Sequence, residues 1–459
     1  MSARRNTLTA VLFLAGLFTA VVFLCLGILP QARGFLEAAK PGRLSAPEFS
    51  KTELALPAAP ALARPLTVRP VKSHLPTPLP DVGEAVDRFI DGAEPAINDL
   101  LDREHGFIQL YGGAQRLMLR RVVEDPEPKY TVVKLTDQVL TFANLEARQE
   151  DMTRRAGEMA AFARRAEREY RTPLLYIQAP SKLDMAPLPE GIPDYSDAEA
   201  DQFLAGLEAA GVDTLDLRPV FRSAAEKDPE ALGQLFFHTD HHWTPEGAFL
   251  GYQAICEALR SDYGFQIDDA LTDPDSFERF TFAGQFLGSQ GKRVGTLYAG
   301  TDDVEIWSPK FDTDFTYTVP LSGIERKGPF AVSLLFPERL AETGLYDTNP
   351  YTIYAGDDYL LSRALNHTDP DAPRVLILRD SFGCALTPFL ALTTGELMAV
   401  DPRNFNGDQD DMMDYIDWLE PDLIIVMNTT SSLRVNELYP YLPSARAAAL
   451  EAKAEEDKS

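Results

Sequence analysis

Residues 236–245 read FFHTDHHWTP, and this stretch decides which fold and which chemistry the chain is expected to have. Three of the six histidines of the chain lie within it, beside Asp240. An aspartate two residues before a histidine on a short turn can reach the imidazole ring and hold it in one tautomer. The pattern therefore predicts that Asp240 and His242 are the orienting acid and the general base of a nucleophilic triad.

The third member of such a triad is expected within residues 374–383, which read RVLILRDSFG. A run of branched apolar residues leading into Ser381 predicts a buried parallel strand that ends where open α/β sheets bind their ligands. Ser381 is therefore the predicted nucleophile, although a serine after a strand can also serve only as a helix cap. Arg379 stands where the Gly-x-Ser-x-Gly turn of α/β-hydrolases has its first glycine, which indicates another serine-hydrolase architecture.

A tetrahedral intermediate at Ser381 would need hydrogen-bond donors for its oxyanion. Asn428 follows the apolar run Leu423–Met427, and Arg403 follows another predicted strand, so both are candidates for oxyanion or substrate binding. The main-chain N–H of Ser381 would be a further donor. The alternatives are a turn cap for Asn428 and a surface ion pair for Arg403.

Two other interpretations of the histidine cluster stand beside the triad, a metal site and a purely structural cluster. His238, Asp240, His241 and His242 are all zinc-ligand types. They lie within five residues, and no other stretch rich in histidine or cysteine supplies a further ligand. The three cysteines show neither metal-ligand spacing nor a disulfide framework. The triad is therefore favoured, and no metal is expected.

The N-terminal part of the chain has the composition of a membrane anchor and a linker. Arg4 and Arg5 precede an uncharged apolar run, Leu8–Leu29, which as a helix would span roughly 33 Å, enough to cross a bilayer. The basic residues place the N-terminus in the cytoplasm and the rest of the chain outside. We expect an uncleaved signal anchor at 1–30, with a cleaved signal peptide as the alternative. Recurrent prolines predict an extended linker at 31–81.

The remainder is predicted to be one α/β domain at 82–445, with a tail at 446–459. Strand and helix patterns alternate, which indicates a parallel sheet. Residues 270–370 interrupt this alternation with recurrent glycines and β-branched stretches, so a β-rich insertion that caps the site is expected there. A formal net charge of -27 argues against a nucleic-acid partner. The predicted helices are Val82–Leu101, Leu145–Tyr170, Asp197–Ala210 and Pro245–Tyr263, and the predicted strands are Leu174–Gln178, Thr214–Leu217, Val375–Leu378, Leu397–Val400 and Leu423–Met427.

The motif at residues 239–244, TDHHWT, resembles the signature of a bacterial family named for its Asp-His-His-Trp sequence. That family is similar to the periplasmic acetyltransferases of alginate and cellulose, which carry an SGNH-hydrolase-like domain. In those relatives the Asp-x-His pair precedes the serine, so the resemblance implies a permuted, three-layer SGNH-hydrolase-like domain. Residues 378–382 resemble the first SGNH block, with Arg379 where glycine is usual, and Asp401 with Arg403 also resembles the family.

The resemblance carries expectations about function. It implies a membrane-anchored, extracytoplasmic serine enzyme that O-acetylates a cell-surface or exopolysaccharide through an acyl-serine. A membrane-bound acyltransferase would supply the acyl donor. The alternatives are a carbohydrate acetyl esterase, in which water accepts the acyl group, and a non-catalytic polysaccharide-binding or assembly protein. No cofactor is expected, because the chain contains no phosphate-binding loop, Gly-x-Gly-x-x-Gly or Cys-x-x-Cys motif.

Overall fold

The computed structural model describes residues 105–143, 152–340 and 344–456. The predicted anchor, linker and first helix lie outside these residues, as does the beginning of the helix predicted at Leu145–Tyr170. Within the described ranges, no helix combines the length and the apolar character needed to cross a bilayer.

The described strands follow the predicted ones closely and add several more. They are β1 (Val122–Val123), β2 (Val132–Lys134), β3 (Leu140–Phe142), β4 (Leu174–Ala179), β5 (Asp213–Asp216), β6 (Phe277–Phe286), β7 (Asp302–Pro309), β8 (Phe315–Val319), β9 (Ile324–Gly328), β10 (Leu361–Asn366), β11 (Arg374–Arg379), β12 (Glu396–Val400) and β13 (Leu423–Thr429).

Short 3₁₀ turns and α-helices connect the strands. The helices are α1 (Gly106–Leu117), α2 (Met152–Tyr170), α3 (Ser196–Ala209), α4 (Arg218–Lys227), α5 (Ala231–Leu235), α6 (Pro245–Tyr263), α7 (Asp269–Thr272), α8 (Ser289–Val294), α9 (Thr296–Ala299), α10 (Phe330–Ser333), α11 (Gly383–Ala391), α12 (Gln409–Leu419) and α13 (Pro443–Glu456). The segment predicted as a tail from residue 446 thus continues the helix that begins at Pro443.

The central sheet is mixed, whereas the sequence predicted a parallel one. Its eight strands lie in the order β5-β4-β13-β11-β12-β10-β8-β9. The first five are parallel to their neighbours, and β10, β8 and β9 then pair antiparallel. The prediction of a fully parallel sheet is therefore wrong at one edge. The difference arises in the predicted β-rich insertion, because its strands β8–β10 extend the sheet. Strands β6 and β7 of the insertion pair with each other, antiparallel and apart from the central sheet.

Helices pack on both faces of the parallel part of the sheet. Successive residues of β4 belong to opposite hydrophobic clusters, Leu175 and Ile177 to one and Leu174 and Tyr176 to the other. The first cluster includes buried residues of α4, α6 and α11, and the second includes residues of α2, α3 and α12. Because both faces are covered, the strands must be apolar on both sides, which explains their continuous hydrophobic runs.

Helix α6 has the bounds predicted for it, Pro245–Tyr263. The Thr244 hydroxyl accepts a hydrogen bond from the N–H of Gly247 at 3.2 Å, and Pro245 occupies the first turn. Gly264 ends the helix in the left-handed conformation, at φ 71°. The capped N-terminus of α6 follows the histidine motif directly and fixes where the motif loop leaves the core.

A small antiparallel sheet, β1-β2-β3, docks onto the same loop. The N–H of Leu140 in β3 donates to the His238 carbonyl at 2.8 Å. The β1-β2-β3 sheet therefore lies against one side of the motif loop.

Candidate active site

The histidine motif forms a closed loop anchored by two buried aromatic side chains. Phe236 and Trp243 face each other in an antiparallel bridge, and neither side chain is exposed. The N–H of Phe237 donates to the His242 carbonyl at 3.2 Å across the same loop. The buried aromatic residues at the two ends of the motif therefore fix the position of its polar tip, Asp240-His241-His242.

Asp240 and His242 are in hydrogen-bonding contact inside this loop. The Asp240 Oδ1 atom lies 2.5 Å from Nδ1 of His242 and accepts the main-chain N–H of the same residue at 3.1 Å. Its Oδ2 atom accepts the N–H of Ser289 at 2.6 Å. Burial alone would raise the pKa of Asp240, but His241, His242 and these hydrogen bonds hold it well below its usual range. A carboxylate at Nδ1 places the ring proton there and leaves Nε2 as an acceptor.

Ser381 lies at the other side of His242. Its Oγ atom is 2.7 Å from the Nε2 atom of His242, and the serine is partly exposed. The helix that follows has Phe382 at its N-cap position, without a side-chain cap. Ser381 therefore does not serve as the cap of α11, and its hydroxyl is directed at the imidazole.

The preceding residue, Asp380, fixes the turn that presents Ser381. This buried carboxylate accepts the N–H of Phe382 at 3.0 Å through Oδ1. Through Oδ2 it accepts the N–H of Thr429 at 2.8 Å and the hydroxyl of Ser432 at 2.6 Å. Asp380 thus ties the turn after β11 to the end of the neighbouring strand β13, which restricts the nucleophile to one geometry.

Trp243 and Tyr351 connect the two halves of the site. The carbonyl of Phe382 accepts the indole N–H of Trp243 and the hydroxyl of Tyr351, each at 3.0 Å. The Tyr351 ring also stacks on His242, with centroids 3.9 Å apart and an interplanar angle of 16°. Sequence reasoning did not identify Tyr351, because no local motif surrounds it.

The loop after β6 clamps the motif from a third direction. A Cβ atom on Gly288 would lie 2.1 Å from the Cβ atom of Asp240, so only glycine permits this approach. The N–H of Gly288 donates to the Thr239 hydroxyl, and the Ser289 hydroxyl lies 2.8 Å from Nδ1 of His241. The recurrent glycines of this region predicted an insertion but not these contacts.

Two buried charged side chains support the base of the loop. Asp302 accepts the N–H groups of His238 and Thr239 at 2.6 and 2.8 Å. The ammonium group of Lys182 donates to the Leu140 carbonyl at 2.5 Å, and burial lowers the pKa of this lysine to about 7. A groove of about 590 Å³ borders the loop at His238 and Asp302, but none of the three predicted triad residues lines it.

The structure places Arg403 in an ion-pair cluster. Its guanidinium contacts Asp401 and lies 2.7 Å from Asp358, and no contact links it to Ser381 within the described residues. Arg379 is fully buried and pairs with Asp358 at 2.5 Å. Burial alone would raise the pKa of Asp358, but the two arginines hold it below its usual range. Arg403 thus forms ion pairs, which was the alternative to oxyanion or substrate binding in the sequence analysis.

The position of Arg379 depends on a glycine one turn further along the chain. A Cβ atom on Gly383 would lie 2.5 Å from the Cδ atom of Arg379. The missing side chain at Gly383 therefore makes the room that the unusual arginine requires.

Asn428 lies on β13 beside the turn of the predicted nucleophile. It is 2% exposed, and its side-chain oxygen has no hydrogen-bond partner in the described part of the chain. Its carbonyl accepts the side-chain amide of Gln178 at 3.0 Å. No hydrogen bond joins its side chain to Ser381 among the described residues. The main-chain N–H of Ser381 also lacks an acceptor there, so it is free to bind an oxyanion.

The contacts of the motif also bear on the metal alternative. Asp240, His241 and His242 each offer a ligand atom within 4.8 Å of the others. However, Oδ1 of Asp240 and Nδ1 of His242 are only 2.5 Å apart. Two ligands of one tetrahedral zinc ion would be about 3.3 Å apart. The other ring nitrogen of His242 faces Ser381, so this geometry favours a triad over a metal centre.

Comparison with known proteins confirms the resemblance predicted from the motif. Residues 137–273, which include Asp240 and His242, match the family model described as SGNH hydrolase-like domain, acetyltransferase AlgX. No curated protein matches the chain. The structure of Bacillus cereus PatB1 with a sulfonyl adduct is similar, with a TM-score of 0.55 and 20% identity over 69% of this chain and 98% of that one. A DHHW family protein from Eubacterium siraeum has a TM-score of 0.52 and 17% identity over 70% and 98%. The fold is therefore SGNH-like.

Proposed function

We propose that this protein is a serine acyl-transfer enzyme and, more specifically, an O-acetyltransferase of a cell-surface or exopolysaccharide. The hydrogen-bonded series Ser381–His242–Asp240 is the observation that carries the proposal. The match of residues 137–273 to an acetyltransferase family supports the choice of an acetyl group.

In the proposed mechanism, Nε2 of His242 takes the proton of the Ser381 hydroxyl as Oγ attacks the carbonyl carbon of an acetyl ester. Asp240 stabilises the imidazolium that forms. The main-chain N–H of Ser381 binds the oxyanion, and the amide of Asn428 is the proposed second donor. The ester C–O bond then breaks, the alcohol leaves with the proton of His242, and acetyl-Ser381 remains.

The second half of the reaction transfers the acetyl group to the acceptor. A sugar hydroxyl gives its proton to Nε2 of His242 as its oxygen attacks acetyl-Ser381. The acyl–Oγ bond then breaks, His242 returns the proton to Oγ, and the sugar ester and the free serine result. If water attacks instead, the enzyme is an acetyl esterase. We propose that Arg403, through its ion pairs with Asp401 and Asp358, supports the turn after β12 and that the oxyanion is bound without it.

The place of the reaction follows from the N-terminal sequence. The apolar run Leu8–Leu29 behind two arginines supports a signal anchor, so the domain would face the outside of the cell. A membrane-bound acyltransferase would supply the acyl donor there.

The decisive experiment measures acyl transfer by the full chain. An aryl acetate is supplied with and without oligosaccharide acceptors, and free acetate and acetylated sugar are quantified. Acetylated sugar supports the transferase, and free acetate alone supports the esterase. Ser381→Ala should abolish both products, whereas the exposed Ser261→Ala should abolish neither. Turnover that survives Ser381→Ala would refute the proposed nucleophile, and turnover that chelators remove and zinc restores would indicate the metal alternative.

Covalent trapping provides a second test that needs no substrate. Because PatB1 carries a sulfonyl adduct, a sulfonyl fluoride is a suitable probe here. Fluoride would leave as the Ser381 oxygen bonds to sulfur, and peptide mass spectrometry would locate the adduct. A non-catalytic binding or assembly protein would not be labelled at Ser381.

A further inference from the structure

A row of partly exposed rings leads away from the proposed general base. His241 stacks beside His242 with ring centroids 3.9 Å apart, and two-fifths of its side chain is exposed. The Phe142 ring lies 6.4 Å from that of His241, and Tyr130 lies 5.9 Å further on. Both rings are half-buried. These three residues, His241, Phe142 and Tyr130, are called the ring row below.

The far end of the ring row opens into a groove of about 510 Å³ with both aromatic and charged walls. Tyr111 and Tyr130 line it, and the guanidinium of Arg293 covers one face of the Tyr130 ring at 3.6 Å. Arg293 also pairs with Asp125 at 2.7 Å. The groove therefore combines the aromatic rings of Tyr111 and Tyr130 with the charged groups of Asp125 and Arg293.

This combination has the chemistry that a carbohydrate chain requires. Sugar rings have apolar C–H faces that pack on aromatic rings, while their hydroxyls need donors and acceptors at the rim. Ligand sites of this kind join aromatic walls to a few placed polar groups. Ser289 supplies such a group at the near end of the row, with its hydroxyl 2.8 Å from Nδ1 of His241.

The row is also continuous with the reacting atoms. His241 touches His242, whose Nε2 atom contacts the Ser381 hydroxyl. Burial and the neighbouring His242 lower the pKa of His241, so a neutral imidazole faces the solvent although part of the ring is exposed. A neutral ring can stack on a sugar and can share a hydrogen bond with it, without a charge to desolvate.

We propose that the ring row and the groove at Tyr130 form the binding track for the acceptor oligosaccharide, which directs one sugar hydroxyl to Ser381. This inference rests on the proposed function and adds the path that the acceptor takes across the protein. The small sheet β1-β2-β3, which carries Phe142, would then be an acceptor-binding element as well as a support of the motif loop.

The test measures binding apart from catalysis. The full chain with Ser381→Ala is titrated calorimetrically with two probes, a neutral β-linked glucose hexasaccharide and a hexamer of uronic acids. At least one should bind. Adding Phe142→Ala should weaken that binding by about fivefold or more, the loss of roughly one ring contact. Phe142→Leu keeps the apolar packing but removes the ring, so it should weaken binding similarly while preserving the melting temperature.

Tyr195→Ala is the matched control, because this tyrosine is 38% exposed and is neither part of the ring row nor among the residues that line the groove. It should leave binding unchanged. If neither hexasaccharide binds, or if folded Phe142→Leu protein binds as tightly as its parent, the track is refuted. A failure of the proposed function would instead appear as absent ester turnover in the protein that retains Ser381.

Discussion

Replacement of Asp240 by asparagine tests the core of the mechanism, because it exchanges one carboxylate oxygen for an NH₂ group and changes almost no volume. An asparagine has one accepting oxygen and one amide nitrogen that only donates. In the native site both carboxylate oxygens accept, Oδ2 from the N–H of Ser289 at 2.6 Å and Oδ1 from two groups of His242. The amide nitrogen must therefore face a donor wherever it is placed.

The contact lengths decide between the two orientations. An amide nitrogen in the Oδ2 position would oppose the Ser289 N–H at 2.6 Å, and the main chain cannot change its donor. In the Oδ1 position it would oppose the His242 N–H at a longer 3.1 Å, while the imidazole could adapt by moving its proton to Nε2. The second orientation therefore has the lower free energy. It produces the tautomer whose Nε2 cannot accept the proton of Ser381.

Asp240→Asn should therefore lower kcat by about 10⁴, which corresponds to roughly 5 kcal/mol of transition-state stabilisation. The assay is steady-state hydrolysis of an aryl acetate by the full chain, with the melting temperature measured in parallel. The matched control is Asp268→Asn, an exposed N-cap of α7 where asparagine caps as well as aspartate. If Asp240→Asn retains more than about a tenth of kcat, Asp240 does not orient the base and the mechanism is wrong.

The other predictions concern the supports of the site. Trp243→Phe removes one of the two donors to the Phe382 carbonyl, so kcat should fall about tenfold to a hundredfold in the same assay; unchanged kcat would refute this tether. Arg379→Met removes one of the two cations that pair with Asp358 and Asp401 and leaves them only Arg403, so it should cost about 2 kcal/mol in urea unfolding, whereas Arg374→Met, at an exposed pair, should cost less than about 1 kcal/mol. Lys182 has a folded pKa of about 7, below its unfolded value, so the unfolded state binds more protons and stability should rise with pH above 7. From pH 7 to pH 9 the rise should be about 2 kcal/mol, and urea unfolding of Lys182→Met should lack it; an equal rise in the variant would show that Lys182 is not the cause.

Local sequence was sufficient to predict strands that are buried on both faces and a helix that begins at a capping residue. The strand at Arg374–Arg379 and its neighbour at Leu423–Thr429 are covered by helices on both faces, and this requirement produces the apolar runs that identified them. The start of α6 was predictable because its N-cap, Thr244, is a local hydrogen-bonding feature followed by Pro245 in the first turn.

The candidate site was predictable where its chemistry is carried by short motifs. Asp240 and His242 are two residues apart, so their contact depends on one loop. Ser381 follows a strand whose carboxyl end must lie at the sheet edge. The structure places its hydroxyl 2.7 Å from His242. Their catalytic roles stay a prediction for the assays above.

Tertiary structure alone decided the contacts that join distant segments. The insertion at 270–370 was expected to cap the site, but its strands β8–β10 extend the central sheet. The residue pattern of a strand does not determine which other strand it pairs with, so this pairing could not be predicted locally. Tyr351 and Ser289 reach the motif from loops far along the chain and have no sequence signature. Arg403 is held by two carboxylates that only the fold brings together. A chain records locally which residues can be buried or can react, whereas the partners of each residue depend on how the whole domain packs.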